Sequence, residues 1–339
     1  MGSPLRPLLQ LGSFVVLAVA ACGSTTTDDA ASGASNITAG CPEGSIAAAN
    51  GCTSFLSLSC ALPAVPAGDA VNLTTDRVFT TPFRGQSYAA PQALDVAWPK
   101  AAATTTTAAP IALLVHGGGW SGGDKNDHRE DILRLAGQGW VAASVNYRRV
   151  FDHWQNRFPA AISDVRCAVR WLRTHATELG ADPRRIVALG DSAGGELVEL
   201  LGTSPDAMAL DDGQCELEGS VAVGGVVSYY GRANLSVAPI PDYLVDYIGR
   251  DGDWPSREAL GSPLRHVDAH TAPTLLIHGQ DDGTVPIAQS RAMRDALRNA
   301  GVTVGLMELP GQGHGFPFFG TSGTQPYGAC STLSFLAHF

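Results

Sequence analysis

Residues 185–200 read RIVALGDSAGGELVEL: a short apolar run, a serine flanked by glycines, then a second apolar run with helical spacing. The stretch Gly190-Asp191-Ser192-Ala193-Gly194 is G-x-S-x-G, placed between an expected strand and an expected helix. A turn that tight tolerates no bulk beside the serine. Gly190 and Gly194 meet that demand, and Gly195 lets the helix pack closely on a sheet. The Ser192 hydroxyl then stands at a helix N-terminus, whose amides favour developing negative charge. A glycine–serine loop without chemistry is the bland alternative. The strand-to-helix setting favours a nucleophile.

Outward from this turn the pattern is one of strands alternating with helices. VNLTTDRVFTTPF and QALDVAWP read as early strands, and KAAATTTTAAP as a surface turn. IALLVHG, WVAASVNY, ADPRRIVALG, VAVGGVVSYY, PTLLIHG and VTVGLMELP read as strands, several of them continuous apolar runs suited to burial on both faces. Helices are expected over 127–138, 159–179, 194–201, 242–248 and 287–300, with a last one ending in STLSFLAHF. In the second of these, Ile162, Val165, Val169, Leu172 and Leu179 recur at helical spacing. The fold class implied is α/β, with a mostly parallel sheet covered by helices on both faces.

A serine hydroxyl needs an imidazole to take its proton, and the imidazole needs a carboxylate to fix its tautomer. PTLLIHGQDDGTVP places Asp281 and Asp282 after one late strand, and LMELPGQGHGF places His314 after the next. A second glycine cluster, LVHGGGWSGGDK at 114–125, exposes bare backbone. It fits neither G-x-x-x-x-G-K-[ST] nor G-x-G-x-x-G, which counts against a phosphate. The amides of Gly118, Gly119 and Ala193 are expected to converge on a carbonyl oxygen that becomes an oxyanion.

HGGGW, GDSAGG, HGQDDGTVP and GQGHGF occur in that order, and from about residue 71 onward the chain resembles the α/β-hydrolase superfamily. It is most similar to the HGGG carboxylesterase branch, which includes hormone-sensitive-lipase-like, acetyl and feruloyl esterases. The resemblance implies a Ser192, Asp282, His314 triad, an oxyanion hole at Gly118, Gly119 and Ala193, and no cofactor or metal. The branch's D-x-x-V-P spacing selects Asp282 and leaves Asp281 as a turn-forming neighbour. His116 is expected to brace the glycine run, and His278 to anchor the acid loop. Glu196 replaces a common histidine, and neither it nor Glu199 is expected to be catalytic. Trp120, Trp154, Tyr230 and Phe316 are candidates for the pocket, and a partial lid is expected from residues 234–254.

Hydrophobic residues make up 45% of the 339, charged ones 16%, and the net charge is −10 without a basic run. This counts against nucleic acid as the main partner. Arg6 precedes LGSFVVLAVAA, an apolar run too short to span a bilayer, so 1–21 is expected to be a signal sequence. It ends Val19-Ala20-Ala21-Cys22, which resembles a lipobox and implies a lipid anchor at Cys22. Residues 22–40 read as a tether, 41–70 as a short stapled segment, and 71–339 as the catalytic domain. Six cysteines remain: Cys41, Cys52, Cys60, Cys167, Cys215 and Cys330. An even number suggests disulfides whose pairing stays open, with Cys167 readable as a buried helical thiol. The function expected is hydrolysis of short-chain or polymer-borne esters by an exported, membrane-anchored serine esterase. Amide hydrolysis by the same triad (arylformamidase or peptidase) and an inactive binding module are the rivals.

Overall fold

The computed structural model describes residues 43–48, 51–67, 70–80, 91–100, 108–238, 240–249 and 251–339. The expected signal sequence and tether, Cys22, Cys41 and residues 101–107 of the Thr/Ala-rich turn lie outside the described residues.

Ten strands are described: β1 (Ser45–Ala48), β2 (Gly51–Ser54), β3 (Val71–Val78), β4 (Ala93–Pro99), β5 (Ala109–Val115), β6 (Val141–Val145), β7 (Ala181–Asp191), β8 (Gly225–Tyr229), β9 (Thr274–Gly279) and β10 (Val304–Leu309). β3 to β10 form one sheet in the order β10-β9-β8-β7-β5-β6-β4-β3. β4 is antiparallel to both β3 and β6, and the remaining pairs are parallel. The continuous apolar runs explain the burial. In β5, Ile111, Leu113 and Val115 join the core on one face while Ala112 and Leu114 join the core on the other.

Seven α-helices are described: α1 (Arg129–Gly137), α2 (Ala160–Leu179), α3 (Ala193–Thr203), α4 (Asp242–Ile248), α5 (Trp254–Leu260), α6 (Ala288–Asn299) and α7 (Gln325–Leu336). α1 and α7 cover one face through Ile132, Leu135, Ala329 and Phe335. α2 and α3 cover the opposite face through Val165, Val169, Leu172, Leu197 and Leu201. Among the described residues, no helix is long and apolar enough to cross a membrane. The parallel strands all deliver their C-terminal ends to one edge, where loops of an open α/β sheet build ligand sites.

The cysteines correct one expectation. Cys167 is not a thiol: it is bonded to Cys215, 48 residues on, and clamps α2 to the irregular segment before β8. On the same helix Arg166 and Arg170 are buried, and both pair with Asp211 of that segment. Cys60 is bonded to Cys330 in α7, so the early cysteine segment is fastened to the far end of the chain. The β1–β2 hairpin and α5 were not anticipated. The hairpin leads into Phe55, whose ring packs edge-on against Phe335 at 5.0 Å.

Candidate active site

Ser192 sits between β7 and α3 with φ 53° and ψ −115°, a backbone state that a serine occupies only under constraint. The constraint is steric. A β-carbon on Gly190 would lie 2.2 Å from the Gly194 carbonyl oxygen, and one on Gly194 would lie 2.1 Å from that of Val115. The Ser192 amide donates to the Tyr229 carbonyl at 2.9 Å, which pins the turn to β8.

His314, in the loop after β10, lies with Nε2 at 2.8 Å from Ser192 Oγ and Nδ1 at 2.7 Å from Asp282 Oδ2. Asp282 follows β9. Its other oxygen accepts the Thr284 and Val285 amides at 2.8 and 2.9 Å, leaving Oδ2 to face the imidazole. Burial would raise the Asp282 pKa, but hydrogen bonds from His278 and His314 and from the Val285 amide hold it well below the usual carboxylate range. His278 Nε2 donates to the Val285 carbonyl at 2.8 Å, and Nδ1 meets Ser290 Oγ at 2.7 Å. It therefore anchors the acid loop. Asp281 is exposed.

Ser192 and His314 line a cavity of about 370 Å³ whose wall also includes Gly118, Gly119, Trp120, Ala193, Tyr230 and Tyr243. Gly118 (φ +109°) could not carry a side chain: a β-carbon there would meet the Gly122 backbone at 2.5 Å. His116 Nδ1 reaches the Gly117 carbonyl at 2.7 Å and its ring stacks on Tyr147 at 4.3 Å, bracing the start of the loop. Tyr243 comes from α4, inside the stretch expected to form a partial lid.

Two pocket assignments are corrected. Phe316 does not line the cavity. It packs behind the wall, ring to ring with Tyr230 at 4.7 Å, and its carbonyl accepts the Tyr230 hydroxyl at 2.6 Å. Trp154 is 63% exposed and away from the cavity wall.

Residues 94–297, more than half of the chain, match the BD-FAE family. The chain belongs to this family. It is an α/β hydrolase of the carboxylesterase branch, similar to esterase LipC of Mycobacterium tuberculosis (35% identity over 64% of this chain and 55% of LipC). It is also similar to esterase LipQ of the same organism (32% identity over 67% and 55%), so the chain spans about half the length of the curated relatives it matches. Among solved structures, esterase 2 of Thermogutta terrifontis, described as phosphorylated by paraoxon, aligns with a TM-score of 0.64 and 26% identity over 80% of this chain and 95% of that one. A truncated carbohydrate esterase from gut microbiota aligns at 0.63 and 25% over 80% and 98%.

One site neighbour in this family member, His128, escaped the sequence reading, and Glu196 and Glu199, expected only to be non-catalytic carboxylates of the helix after Ser192, are buried beside the site. His128, just before α1, holds Asp191 Oδ1 with Nε2 and Asp131 Oδ2 with Nδ1, both at 3.0 Å. Burial works against its charge, but the two carboxylates raise its pKa to about 9. Asp191 Oδ1 also accepts the Gly117 amide at 2.9 Å, joining the Ser192 turn to the glycine loop. Glu196 and Glu199 are wholly buried in α3, where Trp120 Nε1 donates to Glu196 at 2.9 Å and Ser228 Oγ to Glu199 at 2.6 Å. Burial raises both carboxyls, Glu199 to about 8. The departure from histidine at position 196 was the one available signal.

Proposed function

We propose that this chain is a serine carboxylic-ester hydrolase working through an acyl-enzyme, on short-chain or polymer-borne esters of the acetyl or feruloyl type. The observation that carries the reading is the unbroken hydrogen-bond chain from Asp282 through His314 to Ser192, ending in a cavity walled by Gly118, Gly119 and Ala193. Ser192 Oγ bonds to the ester carbonyl carbon as its proton passes to His314 Nε2. The Gly118, Gly119 and Ala193 amides hold the oxyanion. The bond to the alcohol breaks, and the alcohol leaves with the proton from His314. Water then attacks the acyl carbon, giving one proton to His314, and Ser192 recovers that proton as the acid departs. Asp282 orients the imidazole and stabilises its charged form. A cavity of about 370 Å³ partly walled by Trp120 and Tyr243 favours small acyl groups over long lipid chains.

The test is hydrolysis of p-nitrophenyl acetate, butyrate and longer esters by the wild type and Ser192→Ala, together with paraoxon labelling. Acetate and butyrate are expected to be cleaved fastest, Ser192→Ala to lose at least about 10⁴ in kcat, and paraoxon to phosphorylate Ser192 in the wild type. A wild type that cleaves no ester and takes up no paraoxon overturns the reading. Faster cleavage of formanilides than of esters would make it an amidase.

We also propose export with a lipid anchor at Cys22. The lipobox-like Val19-Ala20-Ala21-Cys22 supports the anchor, and the two disulfides among the described residues fit folding in an oxidising compartment. Cys22→Ser should move the protein from the membrane fraction to the soluble fraction; unchanged partitioning would rule out anchoring through this thiol.

A further inference from the structure

Trp120 has φ +56° and follows two glycines that are also at positive φ, +109° at Gly118 and +58° at Gly119. For a tryptophan that backbone state is strained and persists only where surroundings impose it. Three contacts impose it here. The Trp120 carbonyl accepts the Val150 amide at 2.9 Å. The indole stacks on Tyr247 of α4 with ring centroids 4.3 Å apart and planes 2° from parallel. The indole N–H donates to Glu196 Oε2 at 2.9 Å.

These contacts are not equivalent. Stacking fixes the plane of the ring but resists sliding and rotation within that plane only weakly. A directional N–H···O bond fixes what stacking leaves loose. Glu196 belongs to the first turn of α3, the helix that begins at Ala193 immediately after the nucleophile. The oxyanion donors come from two separate places, the glycine loop and the start of α3. The Trp120–Glu196 bond spans those two elements.

We propose that Glu196 is a positioning residue, holding the Gly118–Gly119 amides in register with the Ala193 amide by fixing the Trp120 indole. The proposal rests on the esterase reading given above. Burial raises the Glu196 pKa well above the usual carboxylate range and so favours the neutral carboxyl, with the nearby Glu199 adding to the effect and the Trp120 bond opposing it. Glutamine, neutral and of the same shape, can therefore accept the same indole proton. Leucine cannot.

The experiment compares kcat and KM for p-nitrophenyl acetate in the full chain and in Glu196→Gln, Glu196→Leu, Trp120→Phe and the Glu196→Leu/Trp120→Phe double variant. Glu196→Gln is expected within about 3-fold of wild type. Glu196→Leu and Trp120→Phe should each lose roughly 10–100-fold in kcat, as expected for displaced but retained oxyanion donors, with smaller changes in KM. The double variant should lose no more than either single one, because both remove one interaction. Additive losses, wild-type rates in Glu196→Leu or Trp120→Phe, or a Glu196→Gln rate as low as that of Glu196→Leu would overturn the proposal. If Glu196→Leu does not fold, the contrast between Glu196→Gln and Trp120→Phe decides. A wild type inactive on every ester defeats the esterase reading itself. An active wild type with active Trp120→Phe defeats only this inference.

Discussion

Asp281 and Asp282 are chemically identical neighbours with opposite fates. Asp282 is buried with its carboxylate held by two amides and aimed at His314, whereas Asp281 faces solvent. Asp282→Asn would present the imidazole with a group that favours the wrong tautomer, so kcat for p-nitrophenyl acetate should fall by about 10⁴. Asp281→Asn should stay within about 3-fold of wild type, since exposed substitutions away from such features cost little. Assays of the two purified variants check both outcomes. The D-x-x-V-P spacing made this choice legible for a local reason: the Val285 amide caps Asp282 three residues back. Phe316 and Trp154 were not legible. An aromatic beside a motif loop packs equally well behind the wall or out in solvent, and only the path of the loop decides which.

At the scale of elements, the continuous apolar runs specified the buried parallel strands, because strands covered on both faces need no polar alternation. The β1–β2 hairpin, SIAA paired with GCTS, carries no such run, and its pairing had no sequence signal. His128 stayed hidden because one of its partners, Asp191, is 63 residues away. Its position gives a testable pH dependence. The folded-state pKa, about 9, is raised above the ordinary value of 6.5. The contribution is therefore complete below about pH 6.5 and is lost as pH rises through about 9. His128→Gln should lower stability near neutrality by roughly 1–3 kcal/mol and flatten its decline between those two pH values. Urea unfolding at a series of pH values measures this, and a variant whose stability falls as steeply as that of the wild type would dismiss the ion-paired histidine.

At the scale of the whole molecule, the two disulfides among the described residues act over very different spans. Cys60–Cys330 closes 270 residues, and Cys167–Cys215 closes 48. Replacing Cys60 and Cys330 together by Ala should cost about 2–5 kcal/mol, read as a lower urea midpoint, while leaving ester turnover of the folded protein near wild type. An unchanged midpoint would mean that the C-terminal helix is held by packing alone, through Phe55, Phe335 and Leu336. The even cysteine count had announced bridges without choosing them, because pairing depends on which distant segments the sheet order brings together.

The crowded turn around Ser192 has a consequence for how new specificity could arise. Gly190 and Gly194 lie against backbone with no room for a single added carbon, whereas Tyr243 reaches the same cavity from a seven-residue helix inserted between β8 and β9. Arg232 and Tyr243 are thus parts of the cavity wall that can change without disturbing the crowded turn. A mutant library seeking other esters belongs at Arg232 and Tyr243, with Tyr247 kept as the platform for Trp120. Gly190 and Gly194 offer such a library nothing to vary.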